Sequence, residues 1–107
     1  MLVDLKYIDL EDYKRKFDAF SQNSNLNNQI CEVAKQIFKH RSGTDYEDMY
    51  LIHKKRGTIE GCQTDSKDIL RVHYNASLMD AISDNEPRTL IAIHNHPTNI
   101  LLSHIIC

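Results

Sequence analysis

The sequence predicts one small domain of the α/β or α+β class, and three observations support this. The chain has 107 residues, a length that fits a single domain. Apolar residues make up 41% and charged residues 26%, close to the globular average, which argues against disorder and against a coiled coil. Helical periodicity in the first part of the chain gives way to short apolar runs, which predicts helices combined with strands.

Two helices are predicted in the first part of the chain. Apolar residues at helical spacing, including Tyr13 and Phe17, predict a core-facing helix near 10–20. A second helix is predicted to start around 26–28 and to end near Gly43, with cations in its last turn where the helix dipole favours them. The apolar face of this second helix consists of Ile30, Val33, Ala34, Ile37 and Phe38.

The remainder of the chain predicts a hairpin, a third helix and a final strand. Short apolar runs at 49–52 and 58–62 flank a turn at 54–57 and predict the hairpin. A helix is predicted at 75–84. The apolar run 89–94 does not alternate, which predicts a central strand covered on both faces. We expect a central sheet with one helix packed in front of it.

Composition also limits the partners and the compartment. The net charge of −2 provides no basic surface, so nucleic acid is not expected as a partner. No apolar run is long enough to cross a bilayer, and the first residues lack the features of a signal peptide, so we expect a cytoplasmic protein without membrane contact. Because Cys31, Cys62 and Cys107 form no CxxC pair, free thiols are expected rather than disulfides.

The most informative motif is the HNHP sequence at residues 94–97. Residues i and i+2 of a strand point to the same side, so His94 and His96 would present two imidazoles on one face. Two such groups can occupy two corners of a zinc site. Pro97 would end the strand and leave the pair at the rim of the sheet. A pair of this kind also occurs as histidines bonded to backbone groups or exposed to solvent.

The HNHP motif, followed by Ser103, resembles the signature of the JAMM (MPN+) zinc metallopeptidases, the JAB-domain family. Its spacing is most similar to the RadC-like and phage-associated bacterial members. Residues 41–52 resemble the segment at the first core strand of these proteins. The resemblance implies an MPN/JAB-like fold with a central mixed sheet flanked by helices, in the layering of cytidine deaminases. Residues 1–40 would be an N-terminal helical lead-in and residues 41–107 the JAB/MPN-like core of a single domain.

The resemblance also implies a site and an activity. His94 and His96 would bind zinc, Glu47 would be the general base, and the hydroxyl of Ser103 would support the tetrahedral intermediate. The implied function is zinc-dependent hydrolysis of an amide bond in a peptide or isopeptide, with a peptide or protein as substrate. Zinc lowers the pKa of bound water to about 7, and a nearby carboxylate can then carry a proton to the leaving amine.

One position departs from the family pattern. Ile106 stands where the family has an aspartate that completes the zinc site, and His104 or Cys107 would be the nearby substitutes. The alternative function is therefore a non-catalytic MPN-like module, or a truncated phage or mobile-element accessory protein acting through protein interaction. We expect a domain truncated at its C-terminus, whose apolar segment 100–107 packs back or drives self-association.

Several polar residues near the motif have simpler interpretations. Glu60 is the alternative to Glu47 as general base. Asp48 is expected to face solvent, and His53 and His73 are expected at the surface. The three consecutive cations at 54–56 are expected to form a solvated turn.

Overall fold

Three helices and three strands make up the part of the chain that the computed structural model describes, residues 11–41, 44, 46–67 and 74–95. This is a small α+β domain, as the sequence predicts. Each of the six elements lies within one to four residues of its predicted position. In chain order they are α1 (Glu11–Asp18), α2 (Ser24–Arg41), β1 (Met49–His53), β2 (Ile59–Gln63), α3 (Ala76–Asp84) and β3 (Leu90–His94).

Helix α2 begins earlier than predicted because an asparagine caps it. The side-chain Oδ1 of Asn23 accepts a hydrogen bond from the amide of Leu26 at 3.2 Å, which satisfies one of the free N–H groups of the first turn. The buried Asn27 donates to the carbonyls of Asp18 and Ser21, which fixes the connection between α1 and α2. The asparagine-rich stretch is therefore a capped helix start in addition to a loop.

The three strands form a sheet of order β2-β1-β3, and both pairings are antiparallel. The β1–β2 hairpin confirms the predicted turn at 54–57. A mixed sheet was expected, but the described strands include no parallel pair. Strand β3 was expected at the centre, yet among the described strands β1 is central and β3 lies at the edge. The unbroken apolar pattern of β3 reflects cover on both faces, not a neighbour on both sides.

Helices cover both faces of the sheet, whereas one helix was expected. Consecutive apolar residues in β1 and β3 give each face an apolar surface that must be covered. The first face packs on α2 through a cluster of buried residues: Leu26, Ile30, Val33, Ile37, Ile52, Ile91 and Ile93. The second face packs on α3 through another: Met49, Leu51, Leu78, Ala81, Leu90 and Ala92. We call these the α2 face and the α3 face.

The first turn of α3 covers the outer edge of β2. The amide of Cys62 donates to the hydroxyl of Ser77, and the side chain of Asn75 donates to the carbonyl of Cys62. Asn75 also caps α3 by accepting from the amide of Leu78. Gly61 permits the close approach, because a Cβ there would lie 2.5 Å from the carbonyl oxygen of Ser77. Both groups of Cys62 are thus bonded to the helix start.

No helix in the described ranges is long and apolar enough to cross a lipid bilayer. The predictions for His73 and for all positions after Asn95 lie outside the described residues.

Candidate functional site

The first predicted site residue, His94, lies where β1 and β3 meet. His94 is the last residue of β3 and pairs with Met49, the first residue of β1. Paired residues of an antiparallel sheet share a face, so His94 lies on the α3 face with the buried Met49. We call this the His94 end of the sheet, and the opposite end, which carries the β1–β2 turn, the hairpin end.

Asp48, immediately before β1, is completely buried, so the prediction that it faces solvent is wrong. Its Oδ1 accepts a hydrogen bond from Nε of Arg41 at 2.6 Å, and its Oδ2 is hydrogen-bonded to Nδ1 of His40 at 2.7 Å. Both partners belong to the cationic last turn of α2. Both oxygens of the buried carboxylate therefore have partners, the Arg41 cation and the His40 ring, and such pairing is how a protein accommodates a buried ion. We call Asp48, His40 and Arg41 the Asp48 cluster.

Arg41 connects the Asp48 cluster to two other segments. Its Nη2 donates to the carbonyls of Thr64 and Ser66, which follow β2, at 2.8 and 3.1 Å. Its guanidinium carbon lies 5.5 Å from the centre of the Tyr46 ring, within cation–π range. One buried side chain thus ties the end of α2 to the segments before β1 and after β2.

Asn95, the residue after His94, binds the backbone on both sides of Glu47. Its Oδ1 accepts from the amide of Asp48 at 2.8 Å, and its Nδ2 donates to the carbonyl of Tyr46 at 3.1 Å. We call this pair of hydrogen bonds the Asn95 bridge. Glu47 itself is half-buried and lies between the two bonded neighbours. The bridge joins segments 47 residues apart in sequence.

Asn95 has a role that the sequence analysis did not find. A signal was available, since Asn95 follows Ile91 and Ile93 at alternate positions and therefore shares their buried face. A polar side chain at such a position needs hydrogen-bond partners. The same alternation connects Asp48 with Ile52, which also lies on the α2 face.

Tyr50 lies on the α2 face, and the charge of Asp48 affects the pKa of its hydroxyl. Burial raises the pKa of the Tyr50 hydroxyl, and the negative charge of Asp48 raises it further. The negative charge of Asp48 thus disfavours a second negative charge on Tyr50.

The alternative base, Glu60, lies in the hairpin rather than at the His94 end. It is the extra residue between the Leu51–Gly61 and Ile52–Ile59 pairs. Its carboxylate accepts hydrogen bonds from Thr58 and Arg56. The hydrogen bond from Thr58 is the main cause that lowers the pKa of Glu60. Because β1 separates β2 from β3, the two outer strands are about 10 Å apart, and the structure does not bring Glu60 to His94.

His53, at the hairpin end, is buried, so its predicted surface position is wrong. Its Nδ1 accepts hydrogen bonds from the amides of Lys55 and Arg56 at 3.1 and 3.2 Å. This histidine organises the turn at 54–57, whose cations are largely exposed as predicted. The ring nitrogen used by the turn is not available to a metal.

Half of the predicted site falls outside the described residues. His96 and Ser103 lie there, as do Ile106 and the substitutes His104 and Cys107. Within the described ranges, no three His, Cys, Asp or Glu side chains form a group that could hold a metal ion. A catalytic zinc takes three protein ligands, so the described part would contribute one of them, His94.

An apolar groove lies on the α3 face toward the hairpin end, where the loop before β3, including Asn85 and Pro87, forms part of its wall. Its volume is about 360 Å³, within the range of small-ligand sites. Leu51 and Ala92 line it, and they form the next cross-strand pair after Met49–His94 on the same face. Ile82 and Leu90 contribute further apolar surface.

Comparisons with protein-family models, with curated proteins and with solved structures found no match to this chain.

Proposed function

We propose that this protein hydrolyses a peptide or isopeptide amide bond at a zinc site of the JAMM type, in an MPN/JAB-like fold. The observation that supports the proposal is that the segment before β1, which contains Glu47, lies beside the end of β3, which contains His94. The Met49–His94 pair and the Asn95 bridge bring together two segments that are distant in sequence. These segments contain the predicted general base and a predicted metal ligand.

The direction of the side chains supports this assignment. Asp48 turns toward α2, where it binds Arg41 and His40. Because adjacent residues of an extended chain point to opposite sides, the proposal has Glu47 on the α3 face, the face of His94.

Each residue has a defined role in the proposed reaction. His94 and His96 would hold zinc through ring nitrogens, and zinc when bound would supply a Lewis acid and water that ionises near neutral pH. Glu47 would accept the proton of the attacking water and deliver it to the leaving amine. The hydroxyl of Ser103 would donate to the developing oxyanion.

Zinc titration of matched histidine variants tests the site. The same substitution is made at two buried or half-buried histidines, His94→Asn and His53→Asn, and zinc binding is measured by calorimetry. We expect zinc affinity to fall by more than about 100-fold for His94→Asn, beyond what loss of a second-shell group costs, and to stay unchanged for His53→Asn. Equal zinc affinities in the two variants would reject the His94 site.

The second candidate is a non-catalytic MPN-like module, which the isoleucine at position 106 favours. On this alternative the unmodified protein takes up no stoichiometric zinc, even when zinc is supplied in excess. The variant Ile106→Asp distinguishes a missing ligand from a site that never binds metal. If the ligand is what is missing, the variant should gain at least about tenfold in zinc affinity, the factor that 1.4 kcal/mol gives.

A further inference from the structure

Two buried asparagines in this structure have the same chemistry and different surroundings. Asn27 and Asn95 are each 4% exposed, and each binds backbone groups of a neighbouring segment. Asn27 closes the loop between α1 and α2. Asn95 stands between the two predicted zinc ligands and bonds the residues on either side of the predicted base. Asn27 therefore serves as a control for Asn95, because it makes similar hydrogen bonds away from the proposed zinc site.

The Asn95 bridge acts on a segment without regular secondary structure. Residues 46–48 belong to no helix or strand, so no ladder of backbone hydrogen bonds fixes them. The amide of Asp48 is satisfied by Asn95, and the carbonyl of Tyr46 is bonded to the same side chain. Leaving such buried groups without partners is unfavourable, so the bridge holds this backbone in one position.

The Asp48 cluster provides a second, independent attachment of the same segment. The carboxylate of Asp48 is held by Arg41 and His40, on the α2 side. Loss of the bridge should therefore free the backbone around Glu47 without detaching the segment from α2. The segment is thus attached at two places, to α2 through the Asp48 side chain and to the end of β3 through Asn95.

We propose that Asn95 is a positioning residue that fixes Glu47 relative to His94. Its importance for catalysis rests on the proposed function, in which Glu47 is the base and His94 a metal ligand. The bridge couples the strand that carries the metal ligand to the segment that carries the base, through one side chain directly after His94. Misplacement of a reacting group by about 1 Å can cost 100-fold in rate, so such a coupling affects the chemistry directly.

The experiment compares Asn95→Ala with the matched control Asn27→Ala by NMR at neutral pH, without metal or substrate. For Asn95→Ala we expect the backbone order parameter of Glu47 to fall from about 0.85 to below about 0.6. We also expect exchange of the Asp48 amide to accelerate about tenfold, as loss of one buried hydrogen bond allows. Asn27→Ala should change neither quantity at positions 47 and 48. Equal order parameters in the two variants would overturn the proposal.

A second variant keeps the test decisive if Asn95→Ala does not fold. Asn95→Leu keeps a side chain of similar size and removes both hydrogen bonds without adding a charge. It should lower the order parameter of Glu47 and accelerate exchange of the Asp48 amide, as Asn95→Ala does. A Glu47 order parameter equal to that of the unmodified protein would overturn the proposal.

A double-mutant cycle tests whether the Asn95 bridge affects catalysis. Hydrolysis of a fluorogenic isopeptide-linked peptide is measured in the zinc-supplemented protein for Asn95→Ala, Glu47→Gln and the double variant. If Asn95 acts through Glu47, Asn95→Ala should lower the hydrolysis rate in the unmodified background and have no further effect in a Glu47→Gln background. Additive losses would overturn the positioning role. If the unmodified protein shows no hydrolysis at all, the proposed function fails, and the NMR comparison still decides whether Asn95 fixes Glu47.

Discussion

The two ends of the sheet each hold a glutamate, and the polar contacts made near the two residues differ. At the His94 end, Glu47 adjoins the completely buried Asp48, and its neighbours are bonded to Asn95. At the hairpin end, Glu60 is bonded to Thr58 and Arg56 in a turn region that is largely exposed. The first arrangement joins groups 47 residues apart in sequence, whereas the main partners of Glu60 are within four residues of it, with Asn85 as a further partner.

This difference separates a buried polar network from a surface ion pair. A short-range pair such as Arg56–Glu60 forms wherever a turn brings opposite charges together, and it contributes little to stability. The Asp48 cluster and the Asn95 bridge bury charged and polar groups at a cost that only complete pairing offsets. Buried polar structure at the His94 end is therefore the feature of this fold that packing alone does not explain.

The largest effect on stability is expected from Asp48→Asn. The change removes the charge that compensates Arg41, a buried cation, and breaking a buried pair costs about 3–5 kcal/mol of unfolding free energy. Urea denaturation followed by circular dichroism measures the change.

The matched control for this variant is Glu60→Gln at the hairpin end. Its partner Arg56 is 55% exposed, so loss of the pair should cost about 0–1 kcal/mol. Similar losses of unfolding free energy in the two variants would contradict the difference between the two ends.

The smallest effects are expected in the pH dependence of the unfolding free energy. Glu60 in the hairpin should affect it at acidic pH, and Tyr50 near the His94 end should affect it at alkaline pH. The hydrogen bond from Thr58 lowers the pKa of Glu60, so its contribution is present above the ordinary value of 4.5 and is lost as pH falls below it. Burial raises the pKa of Tyr50, so its contribution is present below 10.0 and is lost as pH rises through the elevated value.

Two conservative variants separate these ranges in thermal unfolding scans. Glu60→Gln should flatten the acidic part of the stability profile and leave the alkaline part unchanged. Tyr50→Phe should flatten the alkaline part alone. A change of both parts by either variant would show that the two ends are not independent.

Local pattern was enough to predict the elements, because periodicity and turn residues are local signals. The apolar stripe of α2, the hairpin and the apolar run of β3 all appear where the sequence predicts them. The start of α2 was placed too late, since the cap depends on the side chain of Asn23 reaching the amide of Leu26. The order of the strands was not predicted, because it depends on which strands pair across the sheet.

The candidate site was predictable only in part, because its polar structure is long-range. His94 could be predicted from the HNHP motif, whereas Glu47 was implied only by the resemblance of residues 41–52 to a known family. The burial of Asp48 depends on Arg41, seven residues earlier, and on the chain returning past β1. His53 could not be placed from its own sequence context, since its role is to accept two amides of the following turn. Contacts set by tertiary structure left no local signal except a polar residue at a buried strand position.

The most direct test of the central claim compares Glu47→Gln with Glu60→Gln in the zinc-supplemented protein. Hydrolysis of a fluorogenic isopeptide-linked peptide is the measurement, and circular dichroism verifies that both variants fold. The account predicts that Glu47→Gln loses at least about 100-fold in kcat, the contribution typical of a general base, while Glu60→Gln retains the activity of the unmodified protein. Equal activity in the two variants would contradict it.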